Sequence, residues 1–169
     1  MRVITKSTSQ TCCFIGHRTI NETEELKADL TAAIEKLIQE EGVDTFLFGS
    51  KSRFNSLCLE LVTELKEKLP QIKRIYVRAE YPIIDADYKA YLLQSYEDTY
   101  YPEQVIGAGK ASYVERNYEM IDRSDYCIFY YRKGEEPATR KSGTRIAFEY
   151  AQRKRRRVIC FPGERECSG

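Results

Sequence analysis

The sequence predicts an α/β fold built on a single doubly wound, mostly parallel sheet with helices on both faces. Two observations predict it. Short apolar runs alternate with longer stretches whose apolar residues recur at helical spacing, the pattern of strands joined by helical crossovers. The chain of 169 residues, with a formal net charge of +1, is long enough for one domain with a sizeable core.

The apolar runs are Thr11–Ile15, Thr45–Phe48, Ile72–Val77, Tyr126–Tyr131 and Val158–Phe161. A first helix is expected between the first two runs, where Leu26, Leu30, Ala33, Ile34, Leu37 and Ile38 recur and Gly42 stops the pattern. A second is carried by Leu57, Leu61, Val62, Leu65 and Leu69, ends at Pro70, and has Asn55 as its expected N-cap. A third spans Ser112–Arg123 with Tyr113, Asn117 and Met120 on one face, and Arg116 is expected to bridge to Glu119 or Asp122. A fourth spans Gly143–Lys154 with Ile146, Ala147, Tyr150 and Ala151 inward. Right-handed crossovers make this a Rossmann-like domain over residues 11–161, with tails at 1–10 and 162–169. The segment Ala79–Lys110 after the third strand interrupts the alternation. It carries six tyrosines from Tyr81 to Tyr101 and a short helix near Asp85–Ser95, and reads either as a lid or partner surface or as cover for the sheet edge.

Balanced charge gives no general basic field for nucleic acid. The run Arg153–Arg157 is expected to complement a helix dipole rather than bind nucleic acid. The six cysteines form no CxxC pair and are expected as buried free thiols, with Cys167 solvated. With a single histidine, no zinc site is expected. Met1–Gln10 has no signal-peptide core and no apolar run reaches membrane-spanning length, so a cytoplasmic protein without membrane partners is expected.

In a parallel sheet, ligands bind outside the carboxyl ends of the strands. Three turns reach that edge. The first is Gly16-His17-Arg18, where a glycine allows close backbone approach and Arg18 offers a fork of donors. The second is Gly49-Ser50-Lys51-Ser52-Arg53-Phe54-Asn55, a polar loop at a helix start that lacks the Walker A spacing. The third is Lys141-Ser142-Gly143-Thr144, again at a helix start. With Arg116 and Asn117 of the third helix, these turns predict a nucleotide-sized site.

These residues in this order resemble the SLOG superfamily of Rossmann-like proteins, nearest to its YpsA-like branch. The matching pieces are Cys12-Cys13-Phe14-Ile15-Gly16-His17-Arg18, Phe54-Asn55, Arg116-Asn117 with Met120, Ser124-Asp125, and Ser142-Gly143-Thr144 with Tyr150-Ala151. The resemblance implies a single domain that binds a nucleotide or an ADP-ribose-like derivative and requires no cofactor. It is more distantly similar to the LOG hydrolases and the nucleoside deoxyribosyltransferases, which place a catalytic Glu where this chain has Ala147. Without that carboxylate, recognition is expected rather than catalysis. An enzyme that cleaves N-glycosidic or phosphoribosyl bonds is the alternative, and would have to use His17, Asp125 or Glu149. A second alternative is an interaction protein acting through the tyrosine-rich insert. A homo-oligomer is expected in each case.

Overall fold

The structure is a computed structural model and describes residues 10–132, 142–163 and 165–166. The strands are β1 (Gln10–Gly16), β2 (Val43–Phe48), β3 (Lys73–Val77), β4 (Asp98–Tyr100), β5 (Tyr126–Tyr130), β6 (Arg157–Phe161) and β7 (Arg165–Glu166). The helices are α1 (Glu24–Glu41), α2 (Arg53–Lys68), α3 (Ala86–Leu92), α4 (Ser112–Asp122) and α5 (Gly143–Arg153). The sheet runs β4-β3-β2-β1-β5-β6-β7; every neighbouring pair is parallel except β6 with β7. The fold class is therefore the one expected: a doubly wound Rossmann-like sheet.

Its two faces carry separate cores. On one, Leu30 and Ile34 of α1 and Phe54, Leu57 and Cys58 of α2 pack on Phe14, Phe46 and Phe48. On the other, Met120 of α4 and Ala147, Phe148 and Ala151 of α5 pack on Cys13, Cys127 and Phe129. β1 lies between β2 and β5, so the winding direction reverses beside it. β1 and β5 stay paired to their carboxyl ends, and the chain leaves them toward helices on opposite faces, which opens a crevice at the switch point of the sheet.

The element ends follow local chemistry. The Thr23 side chain accepts from the Leu26 N–H at the start of α1, and Gly42 closes that helix in the left-handed conformation at φ 75°. At α2 the expected cap is corrected: Ser52 caps the helix by accepting from the Asn55 N–H, and Asn55 lies inside the first turn. In α5 the buried residues are Thr144, Ala147, Phe148 and Ala151, so Ile146 and Tyr150 sit at the edges of the inward face rather than on it.

The insert contains β4, which escaped the sequence reading and forms the sheet's edge. Tyr96 packs against Tyr76 and Phe48, with ring centroids 5.2 and 5.9 Å apart. The expected C-terminal tail contributes β7. The expectation of free thiols holds for buried Cys12, Cys13, Cys58 and Cys127, but Cys160 is disulfide-bonded, which removes the argument for a wholly reduced chain. Cys167 lies outside the described residues. Among the described residues, no helix is long and apolar enough to cross a membrane.

Most of the basic run is occupied within the fold. Arg156 donates to the Ile121 and Asp122 carbonyls that end α4, at 3.0 and 3.1 Å, and Arg157 pairs with Glu41 at 3.4 Å. Arg153 in the last turn of α5 and Lys154 at its C-cap complement that helix's own dipole, as expected, and Arg156 adds a cation at the end of α4.

Candidate functional site

A cleft of about 720 Å³ opens at the switch point. Its walls come from the carboxyl ends of β1, β2 and β3 and from the amino-terminal turns of α4 and α5. Gly16, His17, Arg18, Gly49, Ser50, Arg116, Asn117, Ser142, Gly143 and Thr144 all line it. Lys141 lies outside the described residues.

Gly16 sits where a Cβ would overlap the buried Phe54 ring, so packing alone demands glycine there. The His17 Nε2 accepts from the Arg132 backbone N–H at 3.1 Å, and the His17 N–H donates to the Tyr130 carbonyl at 3.3 Å. His17 thus ties the end of β1 to the end of β5 at the mouth of the crevice. Arg18 is exposed, and its carbonyl accepts the Arg53 N–H at 3.1 Å, joining the first turn to α2.

The second turn is internally satisfied. The Asn55 Oδ1 accepts from the Gly49 and Ser50 amides at 3.1 and 3.5 Å, and its Nδ2 donates to the Phe14 carbonyl at 3.1 Å. Ser50 Oγ accepts from the Ser52 N–H, and Ser52 Oγ from the Asn55 N–H, both at 3.2 Å. These amides are not free for an anion, and Asn55 does not line the cleft. It shapes the loop, a correction to its expected role as a ligand contact.

Gly49 makes room for a side chain. A Cβ there would come within 2.6 Å of both Arg116 Cδ and Met120 Sδ. Arg116 crosses this gap, donates through Nη1 to the Gly49 carbonyl, and donates through Nε to Asn117 Oδ1 at 3.0 Å. The expected surface bridge to Glu119 or Asp122 does not form; Arg123 pairs with Glu119 instead, at 2.5 Å. Arg116 is only 3% exposed and makes no direct ion pair among the described residues; Glu80 is the one carboxylate whose charge supports it from further off. Burial pulls its guanidinium down to about 10, so it stays protonated at neutral pH. No fully buried side-chain nitrogen or oxygen lacks a partner among the described residues, so the unbonded Nη2 reaches the cleft.

The third turn does present open amides. Ser142 Oγ accepts from the Arg145 N–H at 3.0 Å, while the Gly143 and Thr144 amides have no partner among the described residues. A Cβ on Gly143 would meet nothing within 4 Å. The amino terminus of α5 therefore faces the cleft with two donors and the positive end of its dipole.

The catalytic candidates separate from the site. Asp125 precedes β5 at the opposite end of the sheet and accepts from the Thr11 N–H at 3.0 Å. Glu149 pairs with Arg145 at 3.1 Å and does not line the cleft. Ala147 is fully buried in the second core. Of the three candidates, only His17 lies at the cleft, and there it serves as a brace.

The end of β3 supplies a wall that the motifs did not indicate: Tyr76, Arg78, Ala79, Glu80 and Tyr81, with Tyr88 of α3 and Tyr113 of α4 nearby. Buried Arg78 donates to the Tyr81 carbonyl and to Thr99 Oγ1, both at 3.1 Å, and so holds the insert against β3. It also supports Tyr81 at φ 59°, a conformation that costs a non-glycine residue about 1–2 kcal/mol. The signal for this wall was available, because β3 is parallel to β1 and β2 and must end at the same edge. Among the described residues lining the cleft, Arg18, Lys51, Arg78 and Arg116 are cationic and Glu80 is the one carboxylate. Among the described residues, no three His, Cys, Asp or Glu side chains cluster as metal ligands would.

No protein-family model and no curated protein matches this chain, so the chemistry of the cleft carries the functional reading.

Proposed function

We propose that the protein recognises a nucleotide or nucleotide-derived anion of the ADP-ribose type, as a sensing or regulatory module. The observation that carries this reading is Arg116: a buried, protonated guanidinium with no direct ion pair among the described residues and one nitrogen open to the cleft. A buried charge without a directly paired counter-ion is costly, and an anionic ligand supplies the close partner that Glu80 does not. The open amides of Gly143 and Thr144, and Arg18 and Lys51, which form no ion pair among the described residues, suit phosphate oxygens. Tyr76, Tyr81, Tyr88 and Tyr113 offer faces for an aromatic base. The resemblance to the SLOG superfamily points the same way.

Calorimetry and thermal shift against ADP, ADP-ribose, GDP and AMP test the reading, on the wild type and on Arg116→Met. The expected result is saturable binding of at least one nucleotide by the wild type and none by the variant. The ligand-free variant should melt below the wild type but stay folded: relief of the buried charge offsets part of what the Gly49 carbonyl and Asn117 lose with their donor. A wild type that binds none of the panel, or a variant that binds as tightly, would overturn it.

Glu80 keeps the glycosidic-bond-cleaving reading as a second possibility, being a carboxylate at the cleft. Release of free base from the same nucleotides, lost in Glu80→Gln and kept in Glu149→Gln, would favour that reading.

A further inference from the structure

A carboxylate is out of place in an anion site, and Glu80 has no direct ion pair to account for it: its charge supports Arg116, but from beyond pairing distance. It forms no ion pair among the described residues, although four cations line the same cleft. One of its oxygens, Oε1, accepts from the Tyr113 hydroxyl, and Oε2 has no hydrogen-bond partner among the described residues. An ionised carboxylate only accepts hydrogen bonds, so whatever fills the cleft beside Oε2 must donate. The phosphates of a nucleotide cannot donate; its sugar hydroxyls can.

Position selects the sugar over the base. Tyr113 and Arg116 lie three residues apart on α4, and the Arg116 guanidinium carbon stands 5.6 Å from the Tyr113 ring centroid. The same tyrosine reaches Glu80 through its hydroxyl. The carboxylate is thus one tyrosine removed from the guanidinium that would hold phosphate. In a nucleotide the sugar hydroxyls lie next to the phosphate arm, whereas the donor edge of the base lies further out.

We propose that Glu80, oriented by Tyr113, reads the ribose hydroxyls of the bound nucleotide, so that the site selects ribonucleotides over deoxyribonucleotides. Glu80 is the specificity-determining residue and Tyr113 the positioning residue. This inference rests on the nucleotide reading above.

The test is calorimetric titration of ADP, GDP and their 2′-deoxy and 2′,3′-dideoxy counterparts into the wild type, Glu80→Gln and Tyr113→Phe. The wild type should favour the ribonucleotide by roughly tenfold or more, the scale of a charge-assisted hydrogen bond. In Glu80→Gln that ratio should fall to within about threefold, with dideoxynucleotide affinity unchanged or improved once the repelling charge is gone. Tyr113→Phe should lower the ratio part of the way. A wild type that binds nucleotides without regard to the sugar, or a ratio unchanged in Glu80→Gln, defeats this inference and leaves the nucleotide reading standing. A wild type that binds none of these nucleotides defeats both.

Discussion

Asn55 uses its whole carboxamide on three backbone groups, accepting from Gly49 and Ser50 and donating to Phe14. It is 3% exposed, so none of the three can turn to water. Asn55→Asp keeps the acceptor and removes the donor, leaving the Phe14 carbonyl unsatisfied and facing a carboxylate. The expected cost is about 1–3 kcal/mol, read as a lower urea midpoint with an unchanged slope. A variant as stable as the wild type would show that the loop does not depend on this amide. Sequence reasoning placed Asn55 at the helix cap because Asn and Ser cap equally well, and only the geometry shows Ser52 doing so. Arg116 was misread for a related reason: a charged residue on a polar-looking helix face reads as surface. Its burial depends on Gly49, far off in the chain, having no side chain in its way.

Along the strands, the edge of the sheet is held chiefly by the pair Arg74–Glu97, with Lys66 a second cation 3.9 Å from Glu97. Arg74 of β3 donates from its backbone N–H and Nε to Glu97 Oε1 at 2.7 and 3.0 Å, and from Nη2 to Oε2 at 2.7 Å. The Glu97 N–H returns a bond to the Arg74 carbonyl at 2.8 Å, which sets the register of β4 on β3. Burial alone would raise the Glu97 carboxyl, but the hydrogen bonds and charge of Arg74 outweigh it and hold the group below its ordinary value. A carboxyl depressed in the folded state stabilises the fold above its unfolded value near pH 4.3, and that stability is lost as the pH falls through the folded value. Glu97→Gln should therefore cost about 1.5–3 kcal/mol at pH 7, toward the low end because Glu97 is 32% exposed. The gap to the wild type should narrow below pH 4 in urea titrations; a gap constant with pH would count against the pair. Five strands and the four main helices were legible in the sequence because each has an apolar run or a helical apolar stripe. β4 was not: it is three residues long, and its place is fixed by Arg74, Glu97 and Arg78 rather than by alternation. The three polar turns were legible from glycine, hydroxyl and cationic residues at strand ends. The β3 wall was hidden because its residues read as the start of the insert.

At the scale of the molecule, the cleft draws on both sides of the sheet. The β2–α2 loop belongs to the face covered by α1 and α2, while Arg116 and the start of α5 belong to the other. A ligand that joins them stabilises the whole fold by mass action, about 2.7 kcal/mol at a hundred times its dissociation constant. For a chain of this size each kcal/mol raises the melting temperature by about 2–4 °C, so the expected shift is about 5–10 °C. Any ligand of the native state does this; its location is told by amide exchange. The Gly143 and Thr144 amides have no partner among the described residues and should exchange fast in the free protein. The Gly49 and Ser50 amides already bond to Asn55 and should be protected with or without ligand. Added nucleotide should therefore slow exchange at 143–144 well beyond the uniform gain from global stabilisation. It should leave 49–50 and the opposite sheet end at Thr11 and Asp125 with that uniform gain alone. If exchange at 143–144 responds no more than at Asp125, the anion is held elsewhere and the start of α5 is an ordinary helix end.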